Sequence, residues 1–348
     1  MEAVVSLADL TSVTVVVTRN CNLRCRWCFE DSAPGCDRQE PEFPSLVRIF
    51  ERVAGRGRHI TFTGGEPFAR ADILELLEAA RRHVDSVGVT TNGLLVDDDG
   101  AAFLARNRIP AAVSLDGPPE VNDYVRGRGN FERTVEAVRR LVAAGVAVNI
   151  QTVVSRRSLP FLADMARLAA SLGVRLIAFQ RLMPFGRGAR SAGDLLTTED
   201  ARRAAEEYAR LVAAHSHGPL RIKTKDPLHY TLLPPRDGAQ LAAGAVTGGC
   251  RAGLSALFVE GDGTALACPF IRVPAGNLLA QSLEQVWLES RVLRAFRSRS
   301  NYVACRDCTH WPRCRGCRAY ALEAAGDLMG TDPLCWHSLA GDRRREPA

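Results

Sequence analysis

The sequence predicts an α/β protein, a partial TIM-like (β/α)6 barrel followed by a small cysteine-rich C-terminal domain. Two patterns predict it. Short β-branched apolar runs alternate with amphipathic stretches through the first half, as in a parallel sheet with helices outside it. The 11 cysteines fall into two groups, Cys21 to Cys36 and Cys250 to Cys335, with none between. A disulfide scaffold would spread its cysteines more evenly, so two clusters read as metal or redox sites.

The expected strands are 14–18 with the residue just before it, 59–65, 86–93, 111–117, 146–154 and 175–182. Between them, 71–83 and 131–145 carry apolar residues at three- and four-residue spacing, the period of an amphipathic helix. Polar residues gather just after successive strands: Cys21 to Cys28, Gly64 to Glu66, Thr91 to Gly93, and Ser114 to Asp116. Parallel α/β folds place their sites on such loops. After Phe185 the texture changes. GRGARSAGD reads as a flexible connector, Thr197 with Asp200 as a capping box opening a helix to about Ala214, and the Pro/Gly-rich stretch up to Cys250 as a linker. The expected organisation is a core domain over 1–185, a linker and helix over 186–245, a cysteine-rich domain over 246–337 and a polar tail over 338–348.

Composition excludes some classes. No apolar run approaches the roughly 18 residues needed to span a bilayer, and the N-terminus lacks the basic stretch and apolar core of a secretory signal. The expected location is the cytoplasm, with no membrane partner. A formal charge of +6 invites a nucleic-acid reading, but the arginines are scattered and form no basic face with interleaved aromatics.

Cys21-x3-Cys25-x2-Cys28 follows the first strand directly. Three thiolates on one loop can hold three corners of a [4Fe–4S] cube and leave one iron open to a small molecule. A structural zinc site would want a fourth ligand, and Cys36 is available. TGGEP at 63–67 follows the second strand, where glycines let a ligand approach the backbone. SLDG at 114–117 follows the fourth, with Asn122, Asp123 and Arg126 just beyond. The three-cysteine loop with Trp27 before its last cysteine, then GGEP, then SLDG, resembles the radical S-adenosylmethionine (SAM) superfamily over residues 12–185. The resemblance implies that Cys21, Cys25 and Cys28 hold a cluster whose fourth iron is chelated by SAM. It places Gly64, Gly65 and Glu66 on the methionine ammonium, and Ser114 and Arg126 on the SAM carboxylate or ribose. Asn92 and the Gln151 strand would line the ribose and adenine side. Relatives often have His where Asn122 stands, so no role is assigned to it. The implied chemistry is reductive cleavage of SAM to a 5′-deoxyadenosyl radical that abstracts hydrogen from carbon, with an electron donor such as flavodoxin or ferredoxin.

The second group is Cys250, Cys268, Cys305-x2-Cys308-x5-Cys314-x2-Cys317, and Cys335. Paired C-x2-C knuckles serve zinc and iron–sulfur clusters alike. Behind such a core, the group resembles the SPASM extension, which carries two auxiliary [4Fe–4S] clusters, although the last interval is x2 where many relatives have x3. The resemblance implies one cluster on Cys305, Cys308, Cys314 and Cys335. The other would use Cys250, Cys268 and Cys317 and be one protein ligand short. Cys36 is left as a free thiol. His310 and Trp311 are expected to pack around a cluster, and 282–296 to form a covering helix.

SPASM-type relatives mostly modify peptides and proteins, so oxidative peptide maturation is the expected function. With only about a dozen residues before the first strand, a peptide substrate is expected to rely on a separate recognition protein. Pro269 and Phe270 follow Cys268 where sulfatase-maturing relatives tend to carry an acidic residue, which argues against that activity. The alternative is a dehydrogenase or epimerase of a small molecule such as an aminoglycoside sugar, with Cys36 as the one unclaimed thiol. A zinc-bearing binding module would leave GGEP and SLDG at the strand ends unexplained.

Overall fold

A computed structural model describes residues 5–36, 40–233, 248–302 and 304–338. Most of the expected linker and nearly all of the expected tail lie outside the described residues. The chain alternates as β1 (Ser12–Thr18), α1 (Phe43–Arg52), β2 (Gly55–Gly64), α2 (Ile73–Arg81), β3 (Val84–Thr91), α3 (Asp98–Arg106) and β4 (Ala111–Ser114). It continues through α4 (Pro119–Arg126), α5 (Asn130–Ala143), β5 (Val148–Val154), α6 (Leu162–Ser171) and β6 (Leu176–Arg181). The six strands pair in parallel and in sequence order, the arrangement of a partial (β/α)6 barrel.

Local chemistry explains the elements. Along β5, Val148, Ile150 and Val154 are buried under the helices, while the alternate residues Gln151 and Val153 face the barrel interior, as the two-residue strand period requires. Helix α1 buries Leu46, Ile49 and Phe50, one helical stripe. Helix α7 (Thr198–Ala214) opens with the expected box: Thr197 Oγ accepts from the Asp200 amide, and the Asp200 carboxylate accepts from the Thr197 amide.

Three features depart from the sequence reading. First, β7 (Arg221–Thr224) lies within the stretch assigned to a linker and pairs parallel with β6. Second, the cysteine-rich region is joined to the barrel through the sheet itself. Strand β8 (Ala256–Val259) lies parallel to β1 on its free edge, and β9 (Thr264–Leu266) and β10 (Pro274–Asn277) follow antiparallel. The result is one ten-stranded sheet ordered β10-β9-β8-β1-β2-β3-β4-β5-β6-β7. Third, 282–296 is not one helix. Gln285–Glu289 form a wide π turn, Ser290 breaks it with ψ 122°, and only α8 (Arg291–Ala295) follows. The turn seats Trp287, which is fully buried, donates Nε1 to the Ser6 carbonyl at 2.9 Å and stacks under Arg297. Helix α9 (Arg318–Ala325) follows Cys317 directly.

The stretch read as a flexible connector is packed. Arg187, Gly188 and Asp194 are buried, and a side-chain carbon at Gly186 would press on the carbonyls of Cys28 and Phe29. Among the described residues, no helix is long and apolar enough to cross a membrane.

Candidate active site

The loop carrying Cys21, Cys25 and Cys28 leaves the end of β1 and is tied down on three sides. From β2, the amides of Gly65 and Glu66 donate to the carbonyls of Thr18 and Asn20, each at 2.8 Å. This approach leaves no room for side chains: a Cβ at Gly64 would collide with the Thr18 carbonyl and one at Gly65 with that of Asn20. Gly64 also holds a φ of 139° that other residues rarely adopt. From α4, the carbonyls of Val125 and Tyr124 accept from the Arg26 amide and Nε. Trp27 seats the loop among Val121, Val125 and Leu182 and donates Nε1 to Asp194 at 3.2 Å.

The third tie is Arg187. Its Nε donates to the Cys25 carbonyl at 2.6 Å, and its terminal nitrogens reach Asp31 and the Ser32 carbonyl, both at 2.7 Å. One guanidinium fork thus spans the loop on both sides of Cys28. The sequence reading missed it because Arg187 stands in a glycine-rich run with no spacing signal.

Cys21, Cys25 and Cys28 open into a cavity of about 200 Å³ shared with Gly64, Gly65, Asn92, Ser114, Arg126 and Gln151. Burial pushes the Cys21 thiol up to about 12 and raises Cys25 as well, the latter opposed by Arg126. Both thiols are protonated in the metal-free chain at neutral pH, and coordination of iron would displace the protons.

Glu66 is the one predicted SAM contact that the structure does not bring to this cavity. It is fully buried behind the wall, where its carboxylate accepts from Thr91 Oγ at 2.7 Å, the Asn92 amide at 2.6 Å and the Phe68 amide at 3.1 Å. It thereby ties the end of β2 to the end of β3. Asn92 reaches the cavity, with its side chain bonded to Asn22 at 2.7 Å and to the Leu94 amide. Ser114 and Gln151 are partners in register across β4 and β5. Arg126 grips Asp116 through Nε and a terminal nitrogen, both at 2.9 Å, and turns its other nitrogen to Cys25 Sγ at 4.0 Å. Asp116, legible in SLDG but given no role there, also accepts from the Val153 amide. Asn122 is fully buried and accepts from the Asp116 amide, so it holds the loop that aims Asp116.

Cys305, Cys308, Cys314 and Cys335 line one small cavity with His310, Trp311 and His337. Burial raises the Cys268 thiol, with Cys250 and Cys317 close enough to disfavour its thiolate further, and burial likewise pushes Cys317 up to about 12. Arg318 is almost wholly buried, and its Nε and one terminal nitrogen have no partner among the described residues. A buried cation left half unpaired is rare; beside Cys305, whose thiolate it favours, it fits an anionic thiolate-ligated cluster. Among the described residues no three Cys, His, Asp or Glu side chains converge on a single metal ion. Cys36 is half-buried and does not line either cavity.

Residues 15–157 match the radical SAM superfamily, and residues 250–309 match SPASM, an iron–sulfur cluster-binding domain. Over 346 residues, 96% of this chain and 85% of the relative, the sequence is 33% identical to the mycofactocin maturase MftC of Mycolicibacterium smegmatis. The chain belongs to the radical SAM superfamily. This radical SAM/SPASM enzyme is also 29% identical over 351 residues to the AdoMet-dependent heme synthase of Oleidesulfovibrio alaskensis, covering 95% of this chain and 87% of that one. Its fold matches that of Streptococcus suis SuiB bound to S-adenosylmethionine, with a TM-score of 0.75 at 19% identity, over 93% of this chain and 77% of the other.

Proposed function

We propose that this radical SAM/SPASM enzyme matures a peptide by hydrogen abstraction and net oxidation. The observation that carries the chemistry is the convergence of Cys21, Cys25 and Cys28 with Gly64, Gly65, Ser114 and Arg126 on one cavity. The peptide reading is supported by the 33% identity to a mycofactocin maturase across almost the whole chain. When loaded, the cluster supplies the electron that cleaves SAM to methionine and a 5′-deoxyadenosyl radical.

The chain's own residues then have assignable tasks. The three thiols hold the cluster while Arg187 and Trp27 keep their loop in shape. The exposed backbone at Gly64 and Gly65 takes the SAM ammonium, with Glu66 fixing the loop from behind rather than reaching the ligand. Ser114 and Arg126 face the SAM carboxylate, and Asn92 and Gln151 the nucleoside side. Cys305, Cys308, Cys314 and Cys335, and Cys250, Cys268 and Cys317, would hold two auxiliary clusters, which would supply an acceptor for the electron left on the oxidised substrate. A reduced flavodoxin or ferredoxin supplies the first electron. By this reading 1–185 form the radical SAM core and 246–337 the SPASM domain, and 186–245, which carry α7, β7 and Arg187, complete the core between them.

A second reading has its own observation, the 29% identity to a haem synthase: the substrate would then be a small molecule. Two measurements test the proposal. Anaerobic reconstitution should give about 12 irons per chain for three four-iron clusters, and Cys25→Ala should abolish 5′-deoxyadenosine formation. Retained cleavage in that variant would refute the cysteine assignment. A short peptide encoded beside the gene should lose mass on turnover with SAM; turnover of a small molecule alone would favour the second reading.

A further inference from the structure

Four charged side chains line the cavity: Asp116, Arg126, Arg187 and Lys225. Three of them are neutralised within the protein, Arg126 by Asp116 and Arg187 by Asp31. Lys225 is different. It directly follows β7, at the far end of the strand arc from the cysteine loop, and its Nζ donates to a neutral partner, Gln151 Oε1, at 2.9 Å. Among the described residues it has no carboxylate partner. Its side chain is exposed through the open side of the cavity, and at neutral pH it is cationic. A cation that lines a ligand cavity without a carboxylate partner is available to pair with an anion that enters it.

SAM leaves that charge unanswered. Its carboxylate is assigned to the Ser114 and Arg126 side, four strands into the arc, while Gln151 faces the nucleoside, which carries no charge. Lys225, bonded to Gln151, therefore stands beside the nucleoside end, where the 5′ carbon takes its hydrogen atom. A single ammonium next to one neutral amide suits a compact monoanion; a phosphate dianion would call for more than one free cation. We propose that Lys225 is a specificity residue that anchors a carboxylate of the substrate next to the nucleoside end of bound SAM. The proposal rests on the SAM assignment made above and holds whether the carboxylate belongs to a peptide or to a small molecule.

The test uses reconstituted, SAM-loaded full-length enzyme and probes that differ only in charge: propionate against propionamide, and N-acetylphenylalanine against its amide. Anaerobic calorimetry or saturation-transfer NMR measures their binding, and SAM affinity is measured on the same samples. The wild type should prefer at least one acid over its amide by about tenfold, the scale of one charge-assisted hydrogen bond. Lys225→Gln should bring acid and amide to parity with SAM affinity unchanged, and Lys225→Arg should keep most of the preference. Parity in the wild type, or a preference that survives Lys225→Gln, overturns the proposal. A loss of SAM affinity in Lys225→Gln also overturns it, because the ammonium would then serve SAM. A wild type that fails to bind SAM at all overturns the cofactor assignment and this proposal with it.

Discussion

Replacing Glu66 by Gln separates two roles that its motif leaves open. The carboxylate accepts three hydrogen bonds inside the wall, from Thr91 Oγ, the Asn92 amide and the Phe68 amide. In Glu66→Gln, the amide oxygen can retain the Thr91 and Phe68 bonds, while the new NH2 faces the Asn92 N–H, donor against donor. One buried N–H is left unpaired, which costs about 1–3 kcal/mol, and the two remaining bonds lose their charge assistance, roughly 1 kcal/mol each. Against this, a neutral amide avoids the desolvation that pushes the Glu66 carboxyl up. The net expectation is a loss of about 2 kcal/mol in denaturant unfolding of the metal-free protein. Once folded and reconstituted, the variant should bind SAM as the wild type does. A SAM affinity reduced by about tenfold or more at unchanged stability would refute the reasoning, since it would place the carboxylate on the ligand.

Two further outcomes follow from the same geometry. Arg187→Ala removes the donor from the Cys25 and Ser32 carbonyls and should weaken the loop by about 2–4 kcal/mol, read as faster iron loss from the SAM-binding cluster under chelator challenge. Arg187→Lys should be intermediate, and wild-type retention in the Ala variant would remove the clamp from the account. The second outcome concerns pH. Burial raises Cys21 and Cys317 to about 12, so loading must release protons and iron affinity should rise by about tenfold per pH unit for each proton displaced. The sign for the metal-free fold is opposite: a thiol raised by folding contributes stability below the ordinary thiol range and loses it as pH climbs above. Proton release during reconstitution in weak buffer checks the first, and its absence would refute it.

The parts of this molecule that were legible in sequence are those set by local pattern. Six strands show because apolar and β-branched residues recur along each of them on the face that the helices cover. Strand β7 escapes because RIKT buries little besides Thr224 at the sheet edge. The ALFV of β8 is visibly strand-like, but nothing in it says that it lies against β1. The cysteine groups and the glycines after β2 were readable because spacing alone constrains thiolate ligation and close backbone approach. Arg187 and Lys225 were not, because what makes them part of the site is the return of distant segments to one cavity. Glu66 falls between the two: its motif was visible, but its partners Thr91 and Asn92 lie on the next strand and turn it inward.

The pairing of β8 with β1 also bears on biosynthesis. Strand β1 is translated long before β8, so one of its edges stays open until residues 256–259 have emerged from the ribosome. The loop bearing Cys21, Cys25 and Cys28 springs from that strand, and Arg19 and Glu30 at its two ends pair with Glu260 and Arg272. A nascent barrel thus carries an incomplete cluster loop and an unpaired strand edge, the feature that invites wrong association. The cluster loop after β1 is completed only once residues 256–272 have been translated, which orders cluster insertion after the synthesis of that segment.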